Sequence, residues 1–224
     1  MSKKVICITG GANGLGRELA VFFSHTSQVI IFDIDEKKLE TIAQKFDCDH
    51  QVCDVSDYDS VSNSIKKVID KYHQIDCFIN CAGIYIDGSI ESNDPKLIKK
   101  VFEVNSLGPI FTTQVLVPFF KKQKEGTIIN INSTAGLHPK ALNSVYHSSK
   151  WALTGFSQSV QLELAKFGIK VVNLCPGIMT TKFTAGTDCD LSKSLDPSDV
   201  VKAINFILSL DSHTTIPELT IKHL

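Results

Sequence analysis

The sequence predicts an α/β protein with a doubly wound parallel β-sheet, and three observations lead to this prediction. Short apolar runs alternate with longer segments of helical period along almost the whole chain, as expected for strands joined by crossover helices. The runs are apolar at consecutive positions, as in VIIF (29–32), so helices should cover both faces of the sheet. A glycine-rich turn, TGGANGLG, follows the first run and opens the first helical segment.

The first half of the chain supplies four of the predicted strands and three helices. The strands fall near residues 4–9, 28–33, 49–52 and 76–80, and the helices between them near 14–26, 36–46 and 57–72. The first helix begins directly at the glycine turn. Most of these strands are short and apolar, whereas each helix is a longer segment with polar residues on one face.

The second half continues the alternation with three strands and three helices. The strands fall near 126–132, 169–174 and 216–222, and the helices near 95–123, 144–167 and 197–210. Gly108 and Pro109 interrupt the first of these helices, where a kink would free backbone groups. Asp196 is a suitable N-cap for the last helix, with Pro197 at its first position. The polar segment 179–195 lacks periodicity and is predicted to be a surface loop or a mobile lid. Seven strands and six helices correspond to a Rossmann-type fold.

Composition and charge exclude several classes of protein. The 224 residues contain no Gly/Ser/Pro-rich linker, so we expect one domain over residues 1–224. A net charge of −1 provides no field that attracts nucleic acid or anionic membranes, and neither is expected as a partner. No apolar stretch approaches the roughly 18 residues of a membrane-spanning helix. The sequence therefore predicts a soluble, cytoplasmic protein.

The cysteines do not suggest a disulfide framework or a zinc site. Their number is odd and none forms a CxxC pair, so they are expected to be reduced and structural. The seven are Cys7, Cys48, Cys53, Cys77, Cys81, Cys175 and Cys189.

The glycine-rich turn from Thr9 to Gly16 can bind a pyrophosphate. Its glycines permit a tight strand-to-helix turn and a close backbone approach, and the free N–H groups of the helix start attract an anion. The spacing is TGxxxGxG rather than GxGxxG, so a turn without a ligand is the alternative interpretation.

Asp33 ends the second predicted strand, seventeen residues after Gly16, where a carboxylate can accept hydrogen bonds from an adenosine ribose. The same carboxylate would repel a 2′-phosphate, which favours NAD over NADP. Two alternatives stay open. Asp33 could instead cap the following helix, or Lys37 and Lys38 could support NADP binding.

Tyr146 and Lys150 form an i, i+4 pair on a predicted helix, which places their Cβ atoms about 5–6 Å apart. An ammonium about 4 Å from a phenol supplies up to ~4 kcal/mol, enough to lower the phenol pKa by about 3 and make it useful for proton transfer. Ser133 ends the strand TIININ, where its hydroxyl could hold a substrate oxygen, and it lacks the GxSxG turn of a serine hydrolase. The alternative for Tyr146 and Lys150 is an ordinary pair on an amphipathic helix. The alternative for Ser133 is a turn residue at the end of a strand.

The motifs TGGANGLG, NCAG, INSTAG, YHSSK and PGIMTT resemble, in order and spacing, the signatures of the short-chain dehydrogenase/reductase family. The resemblance spans about residues 4–182. It implies that Tyr146 is the acid/base and Ser133 the anchor of the substrate oxygen. It also implies that Lys150 lowers the pKa of Tyr146 and holds the nicotinamide ribose, while Asn105 in EVNSLG fixes a water that links Lys150 to solvent.

The resemblance also implies a cofactor-binding set that runs along the carboxyl ends of the strands. Asp54 and Val55 should approach the adenine, and Ile178 and Thr181 the nicotinamide carboxamide. Cys81 stands where the family often has asparagine. The full set is Thr9, Gly10, Asn13, Gly14, Leu15, Gly16, Asp33, Asp54, Val55, Asn80, Ala82, Gly83, Tyr146, Lys150, Pro176, Gly177, Ile178 and Thr181.

These residues predict an oxidoreductase that oxidises a secondary alcohol to a ketone, or the reverse, with NAD as the favoured cofactor. A catalytically silent NAD-binding sensor or scaffold is the alternative. His138 and His147 lack ligand spacing and an orienting partner, so no metal and no catalytic histidine is expected. The segment 138–143 and the loop 179–195 should set specificity.

The helices 95–123 and 144–167 carry more apolar residues than one sheet can cover, which predicts a homodimer or homotetramer. The residues concerned are Phe111, Val115, Trp151 and Phe156.

Overall fold

The computed structural model describes residues 3–180 and 194–224, and its sheet confirms the predicted fold class. The strands within these ranges are β1 (Val5–Thr9), β2 (Gln28–Asp33), β3 (Asp49–Val52), β4 (Cys77–Asn80), β5 (Gly126–Ile131), β6 (Ile169–Pro176) and β7 (Glu218–Ile221). They form one parallel seven-stranded sheet in the order β3-β2-β1-β4-β5-β6-β7. The order reverses between β1 and β4, and a Rossmann-type sheet binds its ligands at such a point.

The helices match the predicted alternation of strand and helix. In the described part of the chain they are α1 (Gly14–Ser24), α2 (Glu36–Phe46), α3 (Tyr58–Tyr72), α4 (Pro95–Phe102), α5 (Gly108–Gln123), α6 (Ser144–Leu164) and α7 (Pro197–Ser209). Asp196 caps α7 and Pro197 is its first residue, as predicted. Asp35 caps α2 by accepting from the N–H of Lys38, so the alternative interpretation of Asp33 as the cap was wrong.

One predicted helix has a different internal structure. The segment 95–123 is α4, then a π-helical turn at Glu103–Leu107, then α5. The irregularity therefore precedes Gly108 instead of starting there. A Cβ on Gly108 would lie 3.2 Å from a methyl carbon of Val55, so this glycine permits close packing of α5 on the segment after β3. π-helical turns are frequent at functional sites, and this one contains Asn105.

Apolar side chains cover both faces of the sheet, as the consecutive apolar runs predicted. Helices α1, α2 and α7 contribute to the core on one face, and α3, α5 and α6 to the core on the other. Loops follow the carboxyl ends of the strands, and the candidate site lies at this edge of the sheet. Among the described residues, every helix is too short or too polar to span a lipid bilayer.

Candidate active site

A cleft of about 490 Å³ lies at the carboxyl ends of the central strands. One end is formed by the glycine turn together with Asp33 and Asp54, and the other end contains Tyr146 and Lys150. The sequence placed these residues at strand ends or on one helix. The fold brings them to the two ends of a single cavity.

The glycine turn forms a concave backbone surface, called the cradle below, in which there is no room for side chains at Gly10 or Gly16. Gly10 has φ of +69°, and a Cβ on it would lie 2.9 Å from the Cα of Ala82. A Cβ on Gly16 would lie 2.2 Å from the carbonyl oxygen of Gly10. Asn13, the N-cap of α1, makes no side-chain capping hydrogen bond. Such a cradle suits a pyrophosphate at the start of α1. The turn residues that line the cleft are Gly10, Asn13, Gly14, Leu15 and Gly16.

Thr9 and Asn80 face the protein interior instead of the cleft. The Thr9 hydroxyl accepts hydrogen bonds from the N–H groups of Cys81 (3.0 Å) and Ala82 (3.1 Å), which fixes the segment after β4 against β1. The Asn80 amide donates to Asn130 and accepts from the Thr112 hydroxyl, both at 2.8 Å. These two side chains support the cleft wall, whereas Ala82 and Gly83 line the cleft itself.

Asp33 lies in the cleft with both carboxylate oxygens engaged by backbone. It accepts from the N–H of Ala12 and from the N–H of Asp35, each at 3.2 Å. Lys38 forms its ion pair with Asp35 rather than with Asp33. Within residues 3–180 and 194–224, the Asp33 carboxylate is therefore held beside the glycine turn without an ion pair to a lysine.

Asp54 and Val55 line the same end of the cleft. One oxygen of Asp54 accepts from the N–H (2.9 Å) and the hydroxyl (2.5 Å) of Ser56. The other oxygen lies 3.4 Å from the amine of Lys100. Burial acts to raise the pKa of Asp54, but the Ser56 hydrogen bonds and the charge of Lys100 outweigh it, so the pKa is lowered.

Lys150 is buried, with 5% of its surface exposed, and its amine donates to the backbone carbonyl of Ile131 at 3.0 Å. Burial lowers the pKa of this amine to about 8, although the neighbouring thiols of Cys81 and Cys175 act in the opposite direction. Lys150 is a buried residue of α6, the helix that also carries Tyr146.

Tyr146 is also buried, and its environment differs from the one predicted. Burial raises the pKa of its phenol, a hydrogen bond with Ser133 lowers it, and Tyr85 raises it. The Lys150 amine lies 5.9 Å from the centre of the Tyr146 ring. The expectation that Lys150 brings the phenol pKa below its ordinary value is therefore wrong for this structure. The loss of hydration outweighs the other effects.

Ser133 lies beside Tyr146, as the two motifs predicted, and its hydroxyl also accepts from the N–H of Ala135 at 3.1 Å. Asn105 lies further inside, 1% exposed. Its amide accepts from the N–H of Ile84 and donates to the carbonyl of the same residue, each at 2.9 Å, and donates to the Ser149 hydroxyl at 3.1 Å. Asn105 therefore connects the segment after β4 to α6.

The structure describes only part of the region where the nicotinamide end of the cofactor is predicted to bind. Pro176 is the last residue of β6, and the N–H of Gly177 donates to the carbonyl of Ile221 at 2.8 Å. Ile178 is 40% exposed. Thr181 and most of the predicted loop 179–195 lie outside the described residues.

Sequence reasoning missed several residues of this region, among them Met179, Lys100 and Tyr85. Met179 and Lys100 line the cleft. Tyr85 packs edge-on against Tyr146, with ring centres 4.9 Å apart, and its hydroxyl donates to Asn143. Of these three, only Tyr85 had a usable signal, because it follows the NCAG motif by two positions. Lys100 is one lysine in the lysine-rich helix α4, where such residues are usually solvated.

The histidines and cysteines do not assemble a metal site in the part of the chain that is described. No group of three or more His, Cys, Asp or Glu side chains is close enough to hold an ion within those residues. The ring of His147 contacts the carbonyl of His138, 2.6 Å from its Nδ1, which ties the segment before α6 to that helix.

The sequence and the fold are similar to those of known proteins. A model of the short chain dehydrogenase family matches residues 4–191. An uncharacterized oxidoreductase of Staphylococcus epidermidis is 31% identical over 225 residues, which cover 99% of this chain and 98% of the relative. The crystal structure of 3-ketoacyl-(acyl-carrier-protein) reductase from Brucella melitensis complexed with NADH has a TM-score of 0.91 at 25% identity and covers 98% of this chain and 97% of that one. An alcohol dehydrogenase from Thermococcus sibiricus complexed with 5-hydroxy-NADP shares the fold, with a TM-score of 0.90 at 23% identity and coverage of 99% and 97%.

Proposed function

Because the chain belongs to the short chain dehydrogenase family, we propose that it is an oxidoreductase that transfers hydride between a nicotinamide cofactor and a secondary alcohol or ketone. The observation that carries this proposal is the cleft itself. Its Gly10 and Gly16 cradle suits a pyrophosphate at one end, and the other end contains the buried Tyr146 and Lys150, with the half-buried Ser133 hydrogen-bonded to Tyr146.

The cofactor, when bound, supplies the hydride donor or acceptor, and the protein positions it and moves the proton. The backbone N–H groups at the start of α1 would bind the pyrophosphate, and Asp33 would accept hydrogen bonds from the adenosine ribose. Lys150 would hold the nicotinamide ribose through its ammonium. The apolar surroundings of Tyr146 exclude water from the proton that is transferred.

Tyr146 and Ser133 act on the substrate oxygen. The Ser133 hydroxyl donates a hydrogen bond to this oxygen and holds it beside the phenol. Burial raises the pKa of Tyr146, which keeps the phenol protonated at neutral pH and suits it to donate its proton to a ketone oxygen. In the opposite direction, a phenolate form of Tyr146 would take the alcohol proton, and the cationic nicotinamide ring of a bound cofactor would favour that form.

Asp33 supports a preference for NAD over NADP. Its carboxylate lies in the cleft, and Lys38, which could have offset a 2′-phosphate, is paired with Asp35. A second negative charge next to Asp33 would be repelled, at a cost of several kcal/mol in a desolvated site.

The experiment that tests the proposal follows oxidation of NADH and of NADPH, side by side, with a panel of apolar and polar ketones. We expect turnover with NADH on at least one ketone. Tyr146→Phe should reduce kcat by about 10²–10⁴-fold and leave NADH affinity unchanged, because it removes only the proton donor. Tight NADH binding without turnover on any ketone would instead favour a sensor or scaffold. Faster turnover with NADPH would contradict the role given to Asp33.

A further inference from the structure

Lys100 is the only lysine of the described cleft lining other than Lys150. It lies on α4, and its amine donates to the Ser56 hydroxyl at 2.6 Å and lies 3.4 Å from the second oxygen of Asp54. The contacts join α4 to the segment after β3, more than forty residues away in sequence. Lys100 is thus placed at the end of the cleft opposite Tyr146.

The carboxylate of Asp54 is held in one orientation by these contacts. Its first oxygen already accepts two hydrogen bonds, from the N–H and the hydroxyl of Ser56. Its second oxygen has only the long contact with Lys100 in the described structure. That oxygen can therefore accept another hydrogen bond, since a carboxylate oxygen can accept two.

The surroundings of this carboxylate suit a flat, mostly apolar group. Ile34, Val55 and Val104 line the cleft close to Asp33 and Asp54. A dinucleotide that spans the cleft, with its pyrophosphate at the glycine turn and its ribose on Asp33, must place its adenine ring here. The adenine edge carries one exocyclic amine, which is a hydrogen-bond donor and complements a fixed carboxylate oxygen.

We propose that Lys100 is a positioning residue that holds Asp54 as the acceptor for the exocyclic amine of adenine, and that it thereby makes the site select adenine over hypoxanthine dinucleotides. The inference rests on the proposed function, because it requires a dinucleotide in the cleft. Hypoxanthine has a carbonyl oxygen in place of the amine. That oxygen would face the Asp54 oxygen, and two acceptors without a shared proton repel each other.

Lys100 also balances charge at this end of the cleft. Asp33 and Asp54 both line it, and the dinucleotide brings two further negative charges on its pyrophosphate. Without the Lys100 amine, the Asp54 carboxylate keeps the Ser56 hydrogen bonds that lower its pKa, but it loses the nearby cation that adds to this effect and the contact to its second oxygen. A role limited to joining α4 to the neighbouring segment would affect stability and leave base selectivity unchanged.

The test compares the affinities of the full-length protein for NADH and for reduced nicotinamide hypoxanthine dinucleotide, measured by fluorescence titration. The variants are Lys100→Met and Lys100→Gln. Lys99→Met is the matched control, because Lys99 pairs with Glu103 on the exposed side of α4 with 79% of its side chain accessible. Wild type and Lys99→Met should prefer NADH by about tenfold or more, the range of a hydrogen bond to a charged group.

In Lys100→Met and Lys100→Gln we expect NADH affinity to fall about tenfold and the preference for adenine to shrink towards equality. Equal losses for both dinucleotides, or an unchanged preference, would overturn the inference and leave the proposed function intact. A wild-type protein without any preference for adenine would overturn it too. Failure of wild type to bind either dinucleotide would instead count against the proposed function.

Discussion

The Lys150 amine and the Tyr146 ring lie 5.9 Å apart, with the amine donating its hydrogen bond to the backbone of Ile131 and not to the phenol. Both side chains are buried, and burial acts on them in opposite directions: it lowers the pKa of the lysine and raises that of the tyrosine. Each group is therefore shifted towards its neutral form.

Lys150→Met should stabilise the protein near neutral pH while abolishing turnover. The Lys150 pKa is about 8 when folded, against an ordinary value of 10.5, so keeping the charge inside costs roughly 3 kcal/mol at pH 7. Loss of the hydrogen bond to Ile131 offsets about 1 kcal/mol of this gain. Urea denaturation at pH 7 should show a net gain of about 1–3 kcal/mol.

The same substitution has a defined pH dependence. Below pH 8 both the folded and the unfolded wild type carry the Lys150 proton, so the full cost is present. Between about pH 8 and 10.5 only the folded protein has released it, and the cost is relieved as pH rises. The stability difference between Lys150→Met and wild type should therefore shrink over this range. A variant less stable than wild type at pH 7 would show that the amine is stabilising.

Tyr146 should ionise above the ordinary tyrosine range when no cofactor is bound. Burial raises its pKa, so the ultraviolet difference spectrum between wild type and Tyr146→Phe should show no phenolate below about pH 10. Saturation with NAD should move this ionisation to lower pH, because a cationic ring next to the phenol favours the phenolate. If NAD leaves the pH of this ionisation unchanged, Tyr146 does not lie beside the bound cofactor.

Gly16→Ala and Gly155→Ala should have opposite effects. The new Cβ at Gly16 would lie 2.2 Å from the Gly10 carbonyl, so we expect a loss of about 1–3 kcal/mol in unfolding free energy and loss of NADH binding. Gly155 lies on α6 with no atom within 4 Å of the added Cβ, so alanine there should add about 0.5–1 kcal/mol. Thermal denaturation with and without NADH separates the two outcomes.

Trp151→Glu should weaken self-association. Trp151 on α6 is 49% exposed, whereas Phe111, Val115 and Phe156 pack partly against the core, so the tryptophan is the main apolar surface of the predicted set. We expect wild type to sediment as a dimer or tetramer at micromolar concentration and the variant to shift towards monomer. Phe206→Glu, an equally exposed position on α7 at 54%, is the control that should not shift. Wild type that sediments as a monomer would end the oligomer prediction.

Most of the fold and the position of the cleft could be predicted from the sequence. Alternating apolar runs and helical segments predicted each strand, and the glycine turn and Asp33 lie at strand ends because short loops leave little freedom there. The predicted single helix 95–123 contains a π-helical turn instead, and this turn carries Asn105, whose partner Ile84 is twenty-one residues away in sequence.

Other features of the site depend on distant partners that a linear pattern does not contain. The Thr9 side chain turns to the N–H groups of Cys81 and Ala82, more than seventy residues away. The Tyr146 pKa rises because of burial, which follows from packing and not from the spacing to Lys150. Lys100 could not be distinguished from its solvated neighbours until α4 was placed beside the segment after β3.

The amide of Asn105 engages both polar backbone groups of Ile84, one as acceptor and one as donor. A single side chain thus pairs with the backbone of Ile84 as an adjoining β-strand would, and it fixes the chain beyond β4 at that residue. Because this recognition is confined to backbone atoms, Asn105 itself places no demand on which side chain residue 84 carries. The contact that fixes this segment beside α6 therefore does not depend on the identity of that side chain.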